Sequence, residues 1–210
     1  MNKKLCLLST LLSLFIFNQG VGAFSQPNLF TLELKRDFNA QWSTLALEII
    51  KNKNTLTSEI LILSQSIATT WINGKPAYMV VELYHVHEKD MPVVVRLYSK
   101  NETIPLDAQT PSEMKLDGKP VVLKKTFDFC ATGDIWSGTL SAATVDNLID
   151  AAKQEKHLSV TLALQNNTTI TGKFGMAGFD ASFNAGFNWK LHYRPFWEAT
   201  RLGRFSSAPR

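Results

Sequence analysis

The feature that most constrains this chain is a series of short segments with two-residue hydrophobic alternation, separated by tight-turn residues. Leu29 to Lys35 alternates, with Phe30, Leu32 and Leu34 opposite Thr31, Glu33 and Lys35. Leu158 to Leu164 does the same, with Leu158, Val160, Leu162 and Leu164 on one side. Trp42 to Ile50, Glu59 to Leu63, Ala77 to His87, Val93 to Tyr98 and Thr168 to Lys173 also read as strands. Asn73-Gly74 and Asp117-Gly118 are strong hairpin pairs, because both positions of such a turn need positive φ. Phe187, Trp189, Leu191 and Tyr193 alternate with Asn188, Lys190, His192 and Arg194, which predicts a final strand over 187–193. Pro195 would end it, since proline cannot donate to a sheet ladder.

One segment breaks the pattern. Val145, Leu148, Ile149 and Ala152 stand at i, i+3, i+4 and i+7, which predicts a short amphipathic helix over residues 142–156. Ser141 is placed to cap it. Many short strands and one helix point to a mainly β fold, a β-sandwich or an open barrel, of which the immunoglobulin-like β-sandwich is the reading adopted.

The first 23 residues read as a secretory leader. Lys3 and Lys4 precede an apolar run from Leu5 to Phe17, and Val21-Gly22-Ala23 offers small residues for cleavage before Phe24. The run is shorter than the roughly 20 residues of a spanning helix. The expected organisation is therefore a signal peptide (1–23), one domain (24–194) and a basic C-terminal extension (195–210). The expected compartment is the periplasm or the exterior of a bacterial cell.

Charge and cysteine narrow the function classes. Lys3 and Lys4 account for two of the 22 Lys and Arg residues, so 20 remain against 18 Asp and Glu after cleavage. Such balance argues against a nucleic-acid partner, which needs a concentrated basic face. The basic residues gather late: Lys190, Arg194, Arg201, Arg204 and Arg210 face a single acid, Glu198. Cys130 is the one cysteine beyond the leader, and Phe127, Phe129 and Ile135 around it favour burial.

The order of features over Met91 to Ala185 carries a resemblance. Val93-Val94-Val95-Arg96-Leu97 is followed by Met114-Lys115-Leu116-Asp117-Gly118-Lys119-Pro120. Then come Phe127-Asp128-Phe129-Cys130-Ala131-Thr132-Gly133, the helix, two strands and Gly178-Phe179-Asp180-Ala181-Ser182-Phe183. This resembles the invasion-associated locus B family of exported bacterial proteins. The resemblance implies a compact sandwich-like domain in the envelope, linked to host interaction or envelope function, with no enzymatic activity. The chain departs from the family pattern at its cysteines: Gly133 is followed by Asp134-Ile135, and none follows Trp42 closely.

No catalytic constellation stands out. His85 and His87 share one face of a strand, and histidines two apart can chelate zinc or copper, with Glu88 or Asp90 adding an oxygen. This makes a periplasmic metal-binding protein the alternative reading. Cys130 lacks a nucleophile signature. The glycines of Gly172 to Gly178 do not open a phosphate-binding helix, so no cofactor is expected. The primary reading is a non-enzymatic envelope protein that binds a protein partner of envelope or host. Trp189, Phe196, Trp197, Arg201 and Arg204 are its candidate partner-binding residues, with a possible peripheral membrane contact through the tail.

Overall fold

The computed structural model describes residues 30–52, 57–85, 90–99, 102–107, 112–123, 125–127 and 135–201, with side chains for most of them up to residue 190. Residues 1–23, expected to be a leader, lie outside the described residues, as do His87, Cys130 and Arg204. So do the side chains of Phe196, Trp197 and Arg201. Among the described residues the fold is mainly β, with two antiparallel sheets and two helices.

The large sheet is a meander. Strands β1 (Phe30–Asn39), β2 (Trp42–Asn52), β3 (Thr57–Ile72), β4 (Lys75–Tyr84) and β5 (Asp90–Ser99) lie side by side in chain order. The two-residue strand β6 (Glu102–Thr103) folds back on β5. The small sheet takes β7 (Glu113–Leu116) and β8 (Lys119–Pro120). β9 (Lys125–Phe127) and β10 (Ile135–Ser141) return to the large sheet, where β10 pairs β5. Helix α1 (Ala142–Lys153) follows. Strands β11 (His157–Ala163) and β12 (Thr169–Gly175) complete the small sheet, and helix α2 (Phe179–Arg201) closes the described chain.

The turn chemistry behaves as the sequence predicts. Asn73 and Gly74 have φ of 50° and 73°, and Asp117 and Gly118 have 51° and 82°. All four occupy the left-handed region that a two-residue hairpin with the right twist demands. Ser141 caps α1 by accepting from the Thr144 N–H at 3.2 Å. The helix buries Val145, Leu148, Ala151 and Ala152, and Ile149 packs against the same core. It ends at Lys153 rather than 156, where Glu155 turns to φ 53°.

The segment after Gly178 corrects two expectations. Residues 187–193 are not a final strand. They belong to α2, which runs on through Pro195 to Arg201. The alternation of 187–193 is a fragment of a longer helical stripe. Phe179, Ser182, Gly186 and Trp189 are buried at i, i+3, i+7 and i+10, while Phe187 faces solvent. Proline removes one backbone bond from a helix without having to end it. Among the described residues there are accordingly two helices where the sequence predicts one.

The two faces of the large sheet are built differently. On one face, Trp42, Ala68, Met79, Val81, Leu83, Val93, Val95 and Leu97 join residues of the small sheet, α1 and Phe179 in one core. We call this the helix-bearing face. The alternate residues of the same strands lie on the far face. Leu45, Leu47, Leu61, Leu63, Tyr84 and Val94 form a separate cluster there. Its members are 0–6% exposed.

Candidate functional site

Two buried polar groups flank β3 and β4, one on each face. On the helix-bearing face a chain of side chains ties α2 to the sheet. The Thr44 hydroxyl lies 2.9 Å from the Ser182 hydroxyl and donates to the Ser182 carbonyl at 3.0 Å. Ser182 Oγ donates to Ser64 Oγ at 3.0 Å, and Ser64 Oγ lies 3.0 Å from His85 Nε2. The His85 ring stands 5.3 Å from the Phe183 ring, and a Cβ at Gly186 would collide with the imidazole. Burial first, then the charge of Lys190, lowers the His85 pKa from 6.5 to about 4. The imidazole is therefore neutral near pH 7, with one nitrogen in the hydroxyl chain. This arrangement docks a helix. Thr44, Ser64 and Ser182 are fully buried, so no substrate reaches the Ser64–His85 pair as it stands.

On the far face the polar group is charged. Glu82 and Arg96 sit on adjacent strands as diagonal neighbours on one face, two residues out of register, with Glu82 opposite Val94 and Arg96 opposite Val80. Their side chains are each about 1% exposed. Both carboxylate oxygens of Glu82 are engaged. Gln65 Nε2 donates to Oε1 at 3.2 Å, and the Tyr84 hydroxyl donates to Oε2 at 2.7 Å. Arg96 Nη2 stands 3.5 Å from the same Oε2. None of Arg96 Nε, Nη1 and Nη2 meets an acceptor in hydrogen-bond geometry, and Gln65 Oε1 has no donor. Burial opposes the charge of Arg96, but Glu82, followed by Tyr98 and Tyr84, outweighs it and raises its pKa. Burial, then Glu82, holds the Tyr84 hydroxyl well above its ordinary value.

The tip of the β3–β4 hairpin extends this face into solvent. Ile67 and Trp71 follow Gln65 at two-residue spacing and are 46% and 65% exposed. β2 pairs β3 only as far as Ser43 with Gln65, so β3 beyond that point has β4 alone as a described partner. Phe38, 77% exposed, pairs Ser43 on β1 and shares the same side. Nothing in the hydrophobic alternation of the sequence marks Glu82 and Arg96 as partners. Their opposite charges inside the apolar runs of β4 and β5 were the available signal.

The structure places the sequence-predicted residues as follows. His85 belongs to the helix-docking chain. Trp189 is buried against Ala46 and Ile62, with Lys35 Nζ 4.2 Å from its ring centroid, so it lies inside the α2–sheet contact rather than on an open surface. Phe196, Trp197 and Arg201 fall on the last turns of α2. Among the described residues no three His, Cys, Asp or Glu side chains gather as a metal-binding group. No described helix is long and apolar enough to cross a membrane. No family model matches the chain, and no curated protein and no solved structure matches it either.

Proposed function

We propose that the protein is an exported, non-enzymatic binding module of the bacterial envelope, and that the exposed rim of the far face of the large sheet is its binding surface. The observation that carries this is the exposed apolar rim of that face, where Phe38, Ile67 and Trp71 are 77%, 46% and 65% exposed. The buried Glu82–Arg96 pair lies on the same face behind this rim. The exposed Ile67 and Trp71 extend the same face, and exposed aromatics are the residue types that dominate binding energy. The leader-like residues 1–23 support export, and the order of features over 91–185 supports the likeness to the invasion-associated locus B proteins. The two sheets share one core, which favours reading them as the layers of a sandwich. In this proposal the late basic residues are secondary to the sheet face.

The test is association of the exported protein with the envelope fraction of its host cell, comparing the wild type with Ile67→Glu and Trp71→Glu. The two side chains are 46% and 65% exposed, so neither change disturbs the core. Binding should fall about tenfold or more if these residues rim the site. Unchanged association in both variants would remove the far face from the function.

A further inference from the structure

Resting on the reading of the exposed rim as the binding surface, the backbone of β3 defines what that rim holds. β2 pairs β3 only as far as Ser43 with Gln65, and the β1–β2 turn reaches Ser66, whose Oγ donates to the Gln41 carbonyl at 2.7 Å. Among the described residues β3 runs on to Ile72 with β4 alone beside it. Ile72 and Lys75 close a two-residue hairpin, so the even-numbered residues here bond to β4. Ile67, Thr69 and Trp71 therefore turn their N–H and C=O groups outward. No described backbone group pairs with these outward groups. All three side chains are exposed. Natural proteins normally blunt such an edge with charge or proline. β1 and β12, which end their sheets, follow that rule with Lys35, Arg36 and Asp37 and with Lys173. Ser66 to Ile72 carries no charge and no proline.

We propose that this edge takes up an extended, uncharged segment of a partner protein as an added antiparallel strand. Main-chain bonds to Thr69 and Trp71 supply affinity, and side chains beside Ile67 and Trp71 supply selectivity. In an antiparallel pair, the residue that exchanges both bonds with Thr69 lies directly opposite it, with its side chain on the same side of the sheet. The partner residues that bond the edge are therefore the ones that meet Ile67 and Trp71, and β-branched or aromatic residues suit those places. A second copy of β3 fits less well. In two-fold pairing each copy brings its Asn73-Gly74 tip toward the other's Gln41, which already stands beside Ser66. A free segment has no such tip and runs out past the hairpin.

The full chain is titrated with a labelled heptapeptide, blocked at both ends, in which two valines alternate with three threonines between terminal glutamines. Two further peptides carry N-methyl groups, one on both valines and one on two of the threonines. The unmodified peptide should bind saturably with its valines beside Ile67 and Trp71. Methylating the valines removes the N–H groups that face β3 and should weaken binding about tenfold or more. Methylating the threonines alters the opposite edge and should leave affinity within about twofold. Thr69→Pro deletes an outward N–H and should abolish binding, whereas Thr69→Val should keep it. The comparison of the methylated peptides on the wild type stands even if the proline variant does not fold. No saturable binding, or equal weakening by both methylations, would overturn strand addition. A dimer in sedimentation that Thr69→Pro dissociates would overturn the peptide as occupant and give the edge to a second copy. Envelope association that survives Thr69→Pro but falls with Trp71→Glu would overturn strand pairing and leave the rim as the binding surface. Association unchanged by Thr69→Pro, Ile67→Glu and Trp71→Glu would end both readings.

Discussion

At the scale of single residues, the far-face cluster and the docked histidine respond to opposite kinds of change. Removing one member of a buried ion pair costs more than the pair contributes, because the other charge is left buried and unpaired. Arg96→Met should therefore lower unfolding free energy by about 3–5 kcal/mol. Adding Glu82→Gln should recover most of that loss, because the amide keeps acceptor and donor capacity for Tyr84 and Gln65 without a charge. Urea unfolding of the two variants measures this, and an additive loss in the double variant would contradict it. His85 governs the acid side. Its folded pKa of about 4 lies below the unfolded 6.5, so the unfolded chain binds the proton more readily. The stabilisation is complete above pH 6.5 and declines as pH falls toward 4, by at most on the order of 3 kcal/mol. His85→Gln should flatten this limb relative to the wild type while leaving the carboxylate titrations in place. Parallel pH–stability curves for the two proteins would show that the imidazole carries no such linkage.

At the scale of elements, the β3–β4 hairpin gives a paired prediction about backbone direction. Ile72 and Lys75 flank a two-residue loop and exchange both backbone bonds, so Thr70 points its N–H to β4 and Thr69 points its N–H away. His85 N–H donating to the Ile62 carbonyl at 2.9 Å fixes the same parity further down the strand. Proline is tolerated where the N–H faces no partner. Thr69→Pro should cost less than about 1 kcal/mol, whereas Thr70→Pro should cost about 3 kcal/mol or more. Thermal unfolding decides between them, and equal losses would mean that another strand pairs Thr69. The same strand shows where sequence reading succeeds and where it stops. The tip was legible, because Asn73-Gly74 allows few other geometries. The stretch Ser64-Gln65-Ser66 was not legible as strand interior, because its polar side chains are buried and hydrogen-bonded to α2, Glu82 and the Gln41 carbonyl. α1 was legible, because its apolar stripe is complete in four residues. α2 was mistaken, because Phe187, Trp189, Leu191 and Tyr193 taken alone fit a period of two as well as they fit a helix. Of the site residues, His85 was found for its chemistry but not its role. Arg96 was read as a strand residue, since its meaning depends on register against β4.

At the scale of the whole molecule, Trp42 is where the layers meet. It begins β2, donates its indole N–H to the Gly175 carbonyl at the end of β12 at 2.9 Å, and sets its ring 4.8 Å from Phe179 in an edge-on contact. One side chain thus joins the large sheet, the small sheet and the start of α2. Gln41 adds a backbone bond to the Ala177 carbonyl beside it. The core that these contacts border runs without interruption through both sheets and α1, so the small sheet has no separate apolar cluster to fall back on. A molecule built this way unfolds in one cooperative step. Trp42→Ala should cost about 3–5 kcal/mol by the loss of buried area and the cavity left behind. Because the tryptophan belongs to the common core, that loss should move the far-ultraviolet and aromatic circular dichroism transitions together. If the small sheet were an independent unit, Trp42→Ala would instead separate them, with the aromatic signal lost first and the strand signal of the large sheet surviving to higher denaturant. A single shifted transition would also locate the binding face on a rigid support. The far face is formed by the same strands whose other side is held by this core, so the geometry around Arg96 is set by the whole fold.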